Sequence, residues 1–134
     1  MSKINRMRKV HPRPAALLVG LPDLYGFLRQ LLGERGYWVS TCASAVEAVE
    51  HVDTYHPDLV LGDLRLPDLT GMELAGILRR KSGSIPVVLI GNEEDEFLTF
   101  SVIRSGADGL LRRPLSPQDL DRWIERTSFN LHPR

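Results

Sequence analysis

Five short apolar runs, each followed by a stretch with helical spacing, constrain this chain more than any other feature. The runs are Ala15–Gly20, Tyr37–Cys42, Leu59–Asp63, Pro86–Ile90 and Gly109–Arg112. Each is too short for a helix and reads as a strand; Ala15–Gly20, Leu59–Asp63 and Pro86–Ile90 are rich in aliphatic residues, as buried strands are. The intervening segments repeat on a 3.6-residue period. Residues 23–35 carry Leu24, Phe27, Leu28, Leu31 and Leu32 on one stripe, and Gly36 closes it. Ser44-Ala45-Val46-Glu47 is a capping box that opens a helix with Ala45, Ala48, Val49 and Val52 on one face. Thr70-Gly71-Met72-Glu73 is a second box, followed by Leu74, Ile77 and Leu78; Gly76 weakens that helix by ~1 kcal/mol relative to alanine, and Gly83 ends it. Asn92 can cap a helix running to Ser105, stopped by Gly106. Ser116-Pro117 starts a last helix bearing Leu120, Trp123, Ile124 and Thr127. Strand then helix, five times over, predicts an α/β chain: one doubly wound (βα)5 domain, with a five-stranded parallel sheet and helices on both faces.

The domain is expected over residues 15–127. Residues 1–14, with Lys3, Arg6, Arg8, Lys9, Pro12 and Pro14, read as a flexible basic arm, and 128–134 as a C-terminal tail. No linker or second domain is legible, so output is expected to pass through a separate protein. Lys+Arg and Asp+Glu number 17 each, and the absent positive excess argues against binding nucleic acid. A single cysteine cannot form an internal disulfide, and no apolar run approaches the ~20 residues of a membrane helix. Both point to a cytoplasmic protein without a membrane partner. The four histidines lack metal-ligand spacing. Gly20-Leu21-Pro22 is too short to cradle phosphate, and Cys42 reads as a core residue.

Asp63 stands out. It ends the third apolar run, and a carboxylate there is costly unless it faces a crevice. In open α/β sheets, the crevice outside the carboxyl ends of the strands is where ligands bind.

Two stretches carry a family resemblance. One is Pro57-Asp58-Leu59-Val60-Leu61-Gly62-Asp63-Leu64-Arg65-Leu66-Pro67-Asp68-Leu69-Thr70-Gly71-Met72-Glu73-Leu74; the other is Ser105-Gly106-Ala107-Asp108-Gly109-Leu110-Leu111-Arg112-Arg113-Pro114-Leu115. With Pro86–Ile90 between them, the chain resembles the response-regulator receiver domains of two-component signalling, over residues 15–127. The resemblance implies a flavodoxin-like sheet in the order 2-1-3-4-5. It makes Asp63 the phosphoacceptor for a histidine kinase or phosphotransfer protein, in a signalling module that is not an enzyme. It also implies Mg²⁺ held by Asp63, by two acidic residues after the first strand and by the backbone carbonyl of Arg65. The bond before Pro114 is expected to be cis.

Several positions depart from that pattern. Val19 and Gly20, or Gly20 and Leu21, stand where the acidic pair belongs; Asp23 is the nearest acid and reads as a carboxylate in the first turn of the helix. Gly91 replaces a hydroxyl residue, Arg113 replaces a lysine, and Leu110 replaces an aromatic residue. Tight Mg²⁺ binding is therefore not expected, and Asp63 is left as a weak metal ligand. Arginine forks onto carboxylates, and Asp63 has lost its metal, so a direct Asp63–Arg113 pair is expected.

The helix over 94–105 carries Phe97, Leu98, Phe100, Val102 and Ile103, more apolar surface than one buried stripe needs. The resemblance implies docking or homodimerisation through residues 94–125, with Phe97, Phe100 and Leu110 in the contact; the alternative is that these side chains fill the core. Two functions stay open: a phosphorelay receiver acting at Asp63, and a degenerate receiver serving as a phosphorylation-independent interaction module. A flavodoxin-like enzyme or cofactor binder is a remote third.

Overall fold

The computed structural model describes residues 13–92 and 96–131, apart from the side chains of 96, 97 and 127–131. Strands and helices alternate as β1 (Ala15–Val19), α1 (Tyr25–Glu34), β2 (Trp38–Cys42), α2 (Ala45–Tyr55), β3 (Leu59–Asp63), α3 (Gly71–Lys81), β4 (Val87–Gly91), α4 (Glu96–Ser105), β5 (Gly109–Arg112) and α5 (Pro117–Leu131). The sheet is wholly parallel, in the order β2-β1-β3-β4-β5. The alternation led to the parallel sheet, and the resemblance implied this flavodoxin-like strand order.

Period-two alternation sorts each strand between two cores. Leu17, Val19, Val60, Val87 and Leu89 face α2, α3 and α4, where Ala48, Val52, Leu74, Leu78 and Val102 meet them. Ala16, Leu18, Leu59, Leu61, Val88 and Ile90 face α1 and α5, packing on Leu28, Leu32, Leu120 and Ile124. Each buried Leu, Val or Ile side chain among these stabilises the fold by roughly 1.5–3 kcal/mol before conformational entropy opposes it. Burial on both faces explains why the runs of β1, β3 and β4 read as continuously apolar, while the edge strand β2 stays partly exposed and mixed in sequence.

Helix starts follow local chemistry. Thr70 Oγ1 accepts from the Glu73 N–H (3.0 Å), and Glu73 Oε1 accepts from the Thr70 N–H (2.9 Å), which completes that box. At α2 only half of the expected box forms. Ser44 Oγ accepts from the Glu47 N–H, but the Glu47 carboxylate reaches back to the Ala43 N–H instead. Asp68 satisfies two other donors of this helix start, its two oxygens accepting the N–H groups of Ala45 and Val46 at 2.9 Å each. A carboxylate from the β3–α3 loop thus caps α2 and ties the two segments together.

Residues 1–12 of the expected arm, and 93–95 beyond the Asn92 cap, lie outside the described residues. So do the tail residues 132–134 and the side chain of Thr127. Helix α5 runs to Leu131, past the edge expected at 127. Cys42 is half-buried, not a full core residue. Among the described residues, no helix is long and apolar enough to cross a membrane.

Candidate functional site: a pocket closed by Arg113

Strand order and register gather the site. The chain leaves β1 toward β2 and returns on the other side as β3, so a crevice opens where β1 and β3 end side by side. Register pairs Val19 with Gly62, Asp63 with Ile90, and Gly91 with Arg112. The loops carrying Gly20, Asp63, Asn92 and Arg113 therefore meet at one end of the sheet.

Asp63 is the last residue of β3, and its side chain is 18% exposed. Its Oδ1 accepts the backbone N–H of Arg65 at 2.8 Å. Its Oδ2 accepts from Nη2 of Arg113 at 2.9 Å, the pair expected from the sequence. Helix α3 begins hard against this strand end, because Gly71 lets its backbone pass the Asp63 carbonyl; a Cβ there would collide with that oxygen.

Arg113 does more than pair with Asp63. Its Nε donates to Asp23 Oδ2 at 2.9 Å and its Nη2 to Asp23 Oδ1 at 3.3 Å, while Nη1 lies 3.4 Å from Asn92 Oδ1. The Arg113 backbone N–H bonds the Gly91 carbonyl (2.8 Å), and the Arg113–Pro114 peptide is cis, as the resemblance implied. One planar guanidinium thus joins two carboxylates from different loops. The two arms differ in strength. The Asp63 arm lies between side chains about four-fifths buried and is worth roughly 1.5–3 kcal/mol as a charge-assisted bond. The Asp23 carboxylate is 56% exposed, so solvent holds that arm to roughly 0–1 kcal/mol. The Arg113 hydrogen bond draws the Asp23 carboxyl below its ordinary range. Arg113 is itself raised, by the Asp23 hydrogen bond first and the Asp63 pair after it.

Asp23 corrects the expectation of a first-turn helix carboxylate. Helix α1 starts at Tyr25 with no acid in its first turn, because the Leu24 N–H bonds the Leu21 carbonyl in a preceding turn. That turn leaves Asp23 outside the helix, where it meets Arg113.

Gly20 sits at φ +67, a left-handed conformation that glycine adopts at no steric cost. A Cβ at this position would collide with Leu66 Cδ2, so the Leu66 side chain occupies the space an acidic residue would need. Val19 and Leu21, the two candidates for the other acidic-pair position, are both fully buried. The implied Mg²⁺ does not fit these residues. The flanking positions offer no carboxylate, an apolar side chain fills the space above them, and the two nearby carboxylates already share a cation. Among the described residues, no group of three or more His, Cys, Asp or Glu is arranged to hold a metal.

Other site residues separate. Gly91 is buried and contributes its carbonyl. The Arg65 side chain points outward while its N–H serves Asp63. Leu110 packs partly against the core instead of standing free. Phe100 and Ile103 are exposed (61% and 46%), so these two α4 side chains do not fill the core; the Phe97 side chain lies outside the described residues. Arg104 stacks over the Phe100 ring, and Arg112 reaches Thr99 Oγ1. Sequence reasoning missed Leu66, Asn92 and Asp68. Nothing in the sequence set Leu66 apart from Leu64 and Leu69 in the same loop.

Residues 22–125 match the family described as response regulator receiver domain. The alkaline phosphatase synthesis transcriptional regulatory protein PhoP of Bacillus subtilis is 31% identical over 98 residues, covering 73% of this chain and 41% of that protein. The nitrate/nitrite response regulator protein NarL of Escherichia coli is 34% identical over 92 residues, covering 67% of this chain and 42% of that protein. The chain thus spans under half the length of these relatives. Among solved structures, a two-component response regulator from Clostridium difficile superposes with TM-score 0.82 at 20% identity, over 90% of this chain and 100% of that one. The chemotaxis response regulator CheY4 of Vibrio cholerae gives 0.78 at 24% identity, over 86% and 98%. These two share the fold. With the family match spanning most of the chain, the protein belongs to the response regulator receiver domains of two-component signalling.

Proposed function

We propose that this receiver domain acts as an interaction module whose state does not depend on phosphorylation. The observation that carries the reading is the Asp23–Arg113–Asp63 bridge. Asp63, the phosphoacceptor position, has both oxygens engaged by groups of its own chain. Charge argues the same way. Two carboxylates and one guanidinium leave the pocket at −1. A phosphoryl group carries roughly −1.5 to −2, so transfer to Asp63 would leave more negative charge on the same single cation, without Mg²⁺ to offset it. Work would then be done by surface, in a signalling module and not an enzyme. The exposed Phe100 and Ile103, with Arg104 beside them, are the part of α4 suited to docking a separate output protein or a second copy. A cytoplasmic setting accords with the family.

A second reading has one observation in its favour. Asp63 is retained at the carboxyl end of β3, where the family takes phosphate from a histidine kinase or phosphotransfer protein. Intact-mass measurement after incubation with acetyl phosphate and Mg²⁺ separates the two. No mass gain is expected. A Mg²⁺-dependent gain of one phosphoryl group, absent in Asp63→Asn, would overturn the phosphorylation-independent reading.

A further inference from the structure

We infer that Arg113 has replaced the divalent cation of the pocket, so that a permanent side-chain cation does the charge-balancing a metal would do. The inference rests on the pocket reading above and deepens it by naming what fills the cation's place.

The guanidinium is surrounded by oxygen. Nη2 lies 2.9 Å from Asp63 Oδ2 and 3.3 Å from Asp23 Oδ1; Nε lies 2.9 Å from Asp23 Oδ2; Nη1 lies 3.4 Å from Asn92 Oδ1. Two carboxylates and an amide carbonyl are the oxygen donors a hard divalent ion takes. Here they converge on a group that never loses its proton in a protein. An ion and this guanidinium cannot both lie between Asp23 and Asp63. Nor can the ion be held from the β1 side. There Val19 is buried, Gly20 has no side chain, and Leu66 fills the space above it.

Charge sets what happens when the guanidinium is removed. Arg113→Ala leaves two carboxylates, a charge of −2 at one end of the sheet, matched by one divalent ion. The wild-type protein should ignore Mg²⁺, and the variant should come to depend on it.

The test is thermal unfolding in 10 mM Mg²⁺ against NaCl of equal ionic strength, for the wild type, Arg113→Ala and Asp23→Asn/Arg113→Ala. Wild-type Tm is expected not to move. Arg113→Ala should melt lower in NaCl and gain about 3 °C or more in Mg²⁺, a gain lost in the double variant. If Arg113→Ala does not fold, Arg113→Gln, which keeps part of the stem and an amide donor, replaces it. A wild-type gain as large as the variant's would overturn the inference, as would a foldable variant that ignores Mg²⁺ or a gain that survives Asp23→Asn. The outcome is separable from that of the phosphodonor experiment. Labelling of the wild type without any metal would sink phosphorylation independence and leave the cation replacement standing.

Discussion

Leu66 lies across Gly20, its Cδ2 in the space that any side chain at position 20 would claim. This contact keeps one wall of the pocket apolar, and it leads to the first prediction. Gly20→Asp must adopt φ +67 and displace Leu66, so it should destabilise the fold by about 2 kcal/mol or more, read from the urea midpoint. The same substitution in a Leu66→Ala background should cost less. Equal costs in both backgrounds would mean that Leu66 does not fill that space.

Gly71 sets the approach of α3 to Asp63. An alanine Cβ would collide with the Asp63 carbonyl and sit 3.0 Å from Leu64 Cα, both backbone atoms that cannot rotate away. Gly71→Ala should therefore cost roughly 1–3 kcal/mol in urea unfolding. A variant as stable as the wild type would show that the helix start has room to move.

Two carboxyls are depressed in the folded state. The Arg113 hydrogen bond lowers Asp23, and the backbone N–H groups of Ala45 and then Val46 lower Asp68. A folded pKa below the unfolded value of about 3.9 means the stabilisation is complete above that pH and is lost as pH falls through the lower folded value. Burial lowers His51 as well, which gives a loss of the same sign at higher pH. Comparing variants cancels that term. Asp23→Asn/Asp68→Asn should lose less stability than the wild type between pH 4 and pH 2.5, and in Asp68→Ala the Ala45 and Val46 amides should exchange faster. Parallel acid curves would contradict both assignments.

Burial first, and the Glu47 charge after it, push the Cys42 thiol up to about 11. Alkylation by iodoacetamide at pH 8.5 should therefore run about 100-fold slower in the folded protein than in urea. Equal rates would show that the fold does not raise the Cys42 thiol.

The fold was legible because the central strands β1, β3 and β4 are buried on both faces and the helices carry single stripes, so apolar runs and helical spacing alternate along the chain. The Asp63–Arg113 pair was legible for two reasons. The resemblance is what placed both residues in one pocket; with the family's acidic pair and lysine absent, charge then left a carboxylate and a guanidinium to pair. Asp23 was misread because an acid just before an apolar stripe also describes a helix start. Only the Leu21–Leu24 turn puts it ahead of the helix and within reach of Arg113. At α2, the Ser44–Glu47 spacing promised a complete box, but Glu47 turns to the Ala43 N–H, and Asp68 arrives from far along the chain to take the Ala45 and Val46 N–H groups. Leu66 was invisible for a related cause. Its role depends on Gly20, which only the parallel β1–β3 pairing brings close.

The clamp itself is tested most directly by a double-mutant cycle at Asp63 and Arg113. Urea unfolding of the wild type, Asp63→Ala, Arg113→Ala and the double variant at pH 7 isolates the pairwise term. A coupling of about 1.5–3 kcal/mol is expected for a largely buried, charge-assisted pair. Additive single-variant effects, with no coupling beyond error, would contradict the account.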